Sequence, residues 1–295
     1  MGKGARKKAP KQGTGGKTRD VFVARTFEGL WAEPELVALR EFVPAATAPL
    51  PLVDGFDRSV TLASVLPMAA AAMVRSDGEA FVGLQVQTHS SDVSRDIGRA
   101  VRWAASAAPG DTLAVPDTAV DSTVSYAGPQ RLQELLRADA ELEITLHEDF
   151  SWWLPEGTEA TGDIAMSLER ANDAIQPTVR LGKGMYWVDA ASKAHLRWVR
   201  NEPENRLLQA MARLAAAGQL DLGEGSRFAG SFRAHGVLVP VWDLDPEAHA
   251  SEWEQPAADL GTRLDTALAS LDEQPLDASE RRSRDGLVGR QFTLR

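Results

Sequence analysis

Apolar residues recur at helical and at strand spacing in clearly bounded blocks. Leu207, Leu208, Met211, Leu214 and Ala215 fall at i, i+1, i+4, i+7 and i+8, so the spacing predicts a helix over 203–217. Pro203 suits the first turn, where its missing N–H has no helical partner to lose. Gly218 stops the helix, because glycine reaches the left-handed cap conformation at little cost. Leu220 and Leu222 then alternate with polar neighbours and predict a strand at 219–222. Gly223, Gly225 and Ser226 mark a turn. Phe228 and Phe232 open a hairpin that returns after Gly236 through Val237, Leu238, Val239, Val241 and Trp242. Pro240 lacks an N–H, which places that strand at an edge or at a bulge.

The same reading extends along the rest of the chain. Pro34 opens a helix carrying Leu36, Val37 and Leu39. The alanine-rich run 61–73 predicts a second helix, and 80–86 a buried strand. Val93, Ile97 and Val101 define a helix over 93–107, stopped by Pro109-Gly110 before a strand at 112–115. Further elements are a short strand at 21–23, a helix at 129–137, a strand at 142–146 and a helix at 163–175. A hairpin is expected around Gly182-Lys183-Gly184, and a last helix over 256–271 with Leu260, Leu264 and Leu268 one turn apart. Strands mixed with helices predict an α+β fold with mixed or antiparallel sheets.

The order helix 61–73, strand 80–86, helix 93–107, strand 112–115 parallels helix 163–175, strand 185–188, helix 203–217, strand 219–222. Two similar α/β units are therefore expected, an internal repeat with 21–155 as the first unit and 163–271 as the second. A linker lies at 155–162, and 272–295 reads as a polar tail.

Charge separates one segment from the rest. Lys3, Arg6, Lys7, Lys8, Lys11, Lys17 and Arg19 against Asp20 give residues 1–20 a charge of +6. The whole chain is −10, so the remainder carries −16. The expectation is a disordered basic arm on an acidic body. The body repels phosphate, which confines any polyanion contact, such as RNA or the ribosome surface, to the arm. The 295 residues contain no cysteine, which removes disulfides and thiolate chemistry and suits a cytoplasmic setting. No run is long and apolar enough for a membrane span.

Catalytic signatures are sparse. Gly15-Gly16-Lys17-Thr18 resembles a phosphate loop, but the first glycine of that motif falls on Lys11 and a strand-like run follows where a helix is needed. The five histidines, His89, His147, His195, His235 and His249, have no zinc-ligand spacing, so no metal or cofactor is expected. His89, Ser90, Ser91 and Asp92 occupy a loop after a strand, where α/β sites collect, and Asp92 reads as the cap of the next helix. Glu148 and Asp149, beside His147, offer carboxylates in a polar turn ahead of Trp152 and Trp153. Arg233 and His235 share a strand face by alternation, with Arg227 joining them if no bulge intervenes at Gly230. These three, with His89 and Arg95, are the candidate ligand-binding residues.

Four segments carry a family resemblance: RDVFVARTFEGL (19–30), LREFVPAATAPL (39–50), SSDVSRDIGRA (90–100) and GEGSRFAGSFRAHGVLVPVWDL (223–244). They resemble an uncharacterised family of proteins from high-GC Gram-positive bacteria, over nearly the whole chain. Members sometimes carry topoisomerase or preprotein translocase ATPase labels. This sequence supports neither, since it has no phosphate loop, and Tyr126 and Tyr186 lie in no cleavage setting. The resemblance therefore transfers no catalytic residue.

Three functional readings follow. The first is a non-enzymatic binding or scaffold protein whose arm contacts a polyanion. The second is a winged-helix-like DNA-binding protein, with 203–217 as the reading helix and 219–242 as the wing. The third is an enzyme or small-ligand protein with a site at the strand ends near His89, Arg95, Arg233 and His235. The partner and the oligomeric state are not encoded in any motif.

Overall fold

In the computed structural model, which describes residues 23–115, 131–190 and 192–292, two β-sheets enclose one buried helix. That helix is α1 (Glu33–Glu41), started by Pro34 and with Leu36, Val37, Ala38 and Leu39 shut off from solvent. Its first-turn carboxylates, Glu33 and Glu35, are buried too, at the end where the helix dipole favours negative charge.

The first sheet contains β1 (Ala46–Pro49), β2 (Val60–Ala63), β3 (Ala72–Val74), β4 (Ala80–Gly83), β5 (Thr112–Leu113) and β6 (Thr145–Leu146). Their order is β5-β3-β4-β2-β1-β6. β2 and β4 are parallel and the other pairs antiparallel, so the sheet is mixed. After β4 comes α2 (Val93–Ser106), capped by Asp92 and packed on β3 and β4 through Val93, Ile97, Ala100, Val101 and Ala104. The short α3 (Leu132–Leu135) rests on α2. The other sheet face is covered by Leu66, Ala70 and the half-buried Trp152.

The alanine-rich run 61–73 is not a helix. It forms β2, a single 3-10 turn at Pro67–Ala69, and β3. Alanine spacing fits either structure. What decides is Pro67, which would break a helix interior, together with the pairing of β2 with β1 and β4. Residues 219–222 form no strand either. The match between the two halves therefore fails at two of its four elements.

α4 (Gly162–Asp173) leads to the second sheet, which contains β7 (Thr178–Gly182), β8 (Met185–Asp189), β9 (Ala194–Trp198), β10 (Ser226–Ala234) and β11 (Val237–Leu244). All pairs are antiparallel, in the order β10-β11-β9-β8-β7. Alternation sorts its side chains. Tyr186, Val188, Val237, Val239 and Val241 join α1 and the first sheet in one core. Met185, Trp187, Leu196, Leu238 and Trp242 face the helices beyond. Those helices are α5 (Glu204–Ala216), α6 (Glu254–Ser270) and α7 (Ala278–Val288), with α5 packed on the other two. Gly218, at φ 68°, ends α5, and the Gln219 N–H closes the cap on the Leu214 carbonyl at 2.8 Å.

β11 is an interior strand, not an edge. Its pairing with β9 covers Val241–Leu244 and stops at Pro240, where a ladder donor is missing. The bulge lies on the neighbouring β10, between Phe228 and Gly230. β10 is an edge strand, and residues 290–292 shield it. The Phe292 N–H donates to the Ser231 carbonyl at 2.9 Å, alongside Gly230, whose missing Cβ makes room for Arg290.

Candidate functional site

Polar groups from distant parts of the chain converge at the tip of the β10–β11 hairpin. His235 and Gly236 are its two turn residues, with φ 50° and 85°, the positive values a type I′ turn requires. Residues 24–26 cross directly over this turn, and a Cβ on Gly236 would lie 2.7 Å from Arg25 Cα. The Thr26 N–H donates to the His235 carbonyl at 3.2 Å. Its hydroxyl lies 2.9 Å from His235 Nδ1. On the far side of the ring, Glu41 Oε1 is 2.8 Å and Arg40 Nε 3.1 Å from Nε2.

One ring nitrogen cannot accept from Arg40 and donate to Glu41 at once. The carboxylate is the stronger claimant, so Nε2 carries the proton and Nδ1 accepts from Thr26. The hydrogen bond to His235 holds the Glu41 carboxyl below the usual glutamate range, and the Arg40 charge adds to it against the opposing effect of burial. Burial pulls the Arg40 guanidinium below its ordinary value. Arg40 Nη1 also donates to the Leu84 carbonyl at the end of β4. Gln85 donates to the Leu39 and Val43 carbonyls at 2.9 and 3.0 Å and so caps α1. The joint thus ties the second sheet's hairpin to α1 and to the loop that opens α2.

Thr26, His235 and Glu41 stand in the order hydroxyl, imidazole, carboxylate, which is the order of a hydrolytic triad. The surroundings do not serve that chemistry. Thr26 is only 6% exposed, and its carbonyl is taken by Gln133 Nε2 at 2.8 Å. The cavity that Arg40 lines with His89 and Asp96 measures about 10 Å³, space for a single water, and neither Thr26 nor His235 lines it. A scissile bond cannot reach the hydroxyl.

The structure divides the candidate residues. His235 bonds Glu41 and Arg40, and His89 lines a cavity with Arg40. Arg95 lies in the first turn of α2, where its N–H is bound by the Asp92 cap at 3.2 Å. Arg227 pairs with Asp243 at 3.0 Å. Arg233 holds Glu204 of α5 with two bonds, at 2.7 and 2.6 Å. The bulge reverses the strand between the two arginines: Phe228 faces the helix layer and Phe232 faces α1. Arg227, Arg233 and His235 therefore go to three separate carboxylates. His147 bonds Thr47 Oγ1 at 2.8 Å, and Asp149 accepts the Ser151 N–H at 2.8 Å. Lys3, Arg6, Lys7, Lys8, Lys11, Lys17 and Arg19 lie outside the described residues. Thr26, Arg40 and Glu41 carried no sequence signal.

Residues 26–295 match a family of unknown function, DUF5926. The chain belongs to that family. The basic arm at 1–20 lies outside the matched residues, and the joint, from Thr26 to His235, lies within them. No curated protein and no solved structure matches the chain. No helix among the described residues is long and apolar enough to cross a membrane.

Proposed function

We propose that the chain is a non-enzymatic, cytoplasmic binding protein whose basic arm, residues 1–20, engages a polyanion such as RNA or the ribosome surface. The observation that carries this reading is where the positive charge is committed. On α5 and β10, Arg206 pairs with Asp272 at 2.6 Å, Arg213 with Glu280 at 2.8 Å, Arg227 with Asp243 and Arg233 with Glu204. The arm holds seven basic residues against one acid, and the remainder of the chain is −16. Phosphate is therefore attracted to the arm and repelled by the body.

The same pairs weigh against the winged-helix alternative. α5 is packed on α6 and α7, and the hairpin meant as a wing is the edge of a five-stranded sheet with its tip covered by residues 24–26. The reading by small-ligand chemistry at the strand ends meets a cavity of one-water size. Retention of single-stranded RNA by the full chain tests the proposal. A full-length variant with the seven basic residues of the arm replaced by glutamine is expected to lose it. Equal retention by the variant ends the proposal.

A further inference from the structure

A groove of about 410 Å³ opens between the start of the described chain and the loop after α3, lined in part by Arg25, Trp31, Asp139 and Asn201. Arg25 at its floor is fully occupied. It grips the buried Glu33 through two bonds, at 2.8 and 2.5 Å, and donates to the Asn201 carbonyl at 2.7 Å. Acids surround it: Asp139 lines the groove and is exposed, Glu28, with its side chain 70% exposed, lies 4.0 Å from Arg25, and the exposed Glu141 bonds Trp31. Trp31 lines the groove and is half exposed. Its indole N–H donates to Glu141 at 3.1 Å, and Lys183 Nζ sits 3.0 Å from the centre of its ring. This groove already holds a lysine against tryptophan beside carboxylates, which is the chemistry that receives lysine-rich chain.

We propose that this groove is the docking site of the chain's own basic arm, residues 1–20. Two observations meet here. The arm carries +6, and the exposed carboxylates at and beside the groove are Glu28, Asp139 and Glu141. The described chain begins at Val23, two residues from Arg25 on the groove floor, so the arm starts at the site it would fill. A tether this short keeps the arm at an effective concentration of about millimolar, enough for exposed ion pairs that would not hold a free peptide. The consequence, resting on the polyanion reading above, is that the docked arm is withheld from the polyanion, and that the polyanion must displace it.

The chain has no cysteine, so Thr14→Cys gives one attachment point for a nitroxide on the full-length protein. The eight tryptophans supply indole N–H signals, that of Trp31 being assigned with Trp31→Phe. At low salt the Trp31 signal is expected to lose most of its intensity while those of Trp187, Trp198 and Trp242 keep theirs. High salt, or Asp139→Asn with Glu141→Gln, is expected to restore it. Uniform broadening or none overturns the docking. So does broadening of Trp31 in unlabelled chains mixed with labelled ones, which assigns the groove to another copy's arm. Adding single-stranded RNA separates this proposal from the one it rests on. If the Trp31 signal is lost at low salt and RNA does not restore it, docking stands and polyanion binding falls. If Trp31 is never broadened yet RNA is retained, docking alone falls.

Discussion

Tyr186 donates its hydroxyl to Glu35 Oε2 at 2.5 Å, joining the second sheet to α1 inside the shared core. Glu35 is 3% exposed, and its other oxygen accepts from Arg180 Nε at 3.0 Å, Arg180 Nη2 at 2.6 Å and the Gly184 N–H at 3.0 Å. A carboxylate so deep is tolerated only because each oxygen is answered. Tyr186→Phe leaves one oxygen without its donor and is expected to cost about 1–3 kcal/mol. Glu35→Ala strands the hydroxyl, the amide and the guanidinium together and is expected to cost about 3–5 kcal/mol. Urea midpoints at unchanged slope measure both.

The same pair sets an alkaline limit. Burial, then the charge of Glu35 and the hydrogen bond to it, push the Tyr186 phenol well above its ordinary value of 10.0. A group raised in the folded state contributes stability that is complete below its unfolded value and is lost as pH rises toward its folded one. Stability is therefore expected to fall above about pH 10. In Tyr186→Phe that part of the fall disappears, as a series of urea titrations at rising pH will show.

Gly236 and Gly218 are both left-handed, at φ 85° and 68°, yet they differ in surroundings. Nothing lies within 4 Å of a Cβ on Gly218, whereas one on Gly236 meets the backbone of Ala24 and Arg25. Gly218→Ala is expected to cost about 1 kcal/mol, the conformational penalty alone. Gly236→Ala adds a clash with backbone and is expected to cost about 2–4 kcal/mol. Equal thermal shifts for the two variants would remove the joint from the account.

Much of this was legible from local pattern. α2 and α5 each combine helical spacing with a start and stop signal, and the β10–β11 hairpin has its Gly at the turn. Two regions were not legible. The run 61–73 carries alanines that fit a helix or a strand equally, and only pairing with distant strands decides. Residues 278–288 look polar throughout but form α7, because Asp277 and Glu280 cap it and α5 offers Leu287 a place to bury. The joint was half legible. His235 drew notice as a histidine beside a turn glycine, but Thr26 lies 209 residues away and Glu41 194, so no spacing rule connects them. Arg227 and Arg233 were misaligned by a one-residue bulge.

Acid should loosen the joint. Glu41 is held below the ordinary glutamate value of 4.5, chiefly by its hydrogen bond to His235. A depressed carboxyl contributes stability that is present above its unfolded value and lost as pH falls through its folded one. Unfolding free energy is expected to drop below about pH 4.5, and Glu41→Gln to show less of that drop than the parent chain. A parallel drop in both would place the acid sensitivity elsewhere.

The triad-like order at Thr26 makes a separate prediction. A fluorophosphonate probe is expected to leave the native protein unlabelled, because Thr26 is buried. Thr26→Val is expected to cost about 1 kcal/mol of stability through the lost bond to His235. Labelling of the native chain that vanishes in Thr26→Val would make the joint a catalytic site after all.

The proposed function places polyanion binding in the arm and not in the folded body. Its most direct test is the salt dependence of single-stranded RNA affinity for the full chain. Seven arm contacts predict that log affinity falls against log salt with a slope of up to about −5, and that the arm-neutralised chain has almost none. A neutralised chain that keeps the parent affinity and slope would move the binding to the folded body.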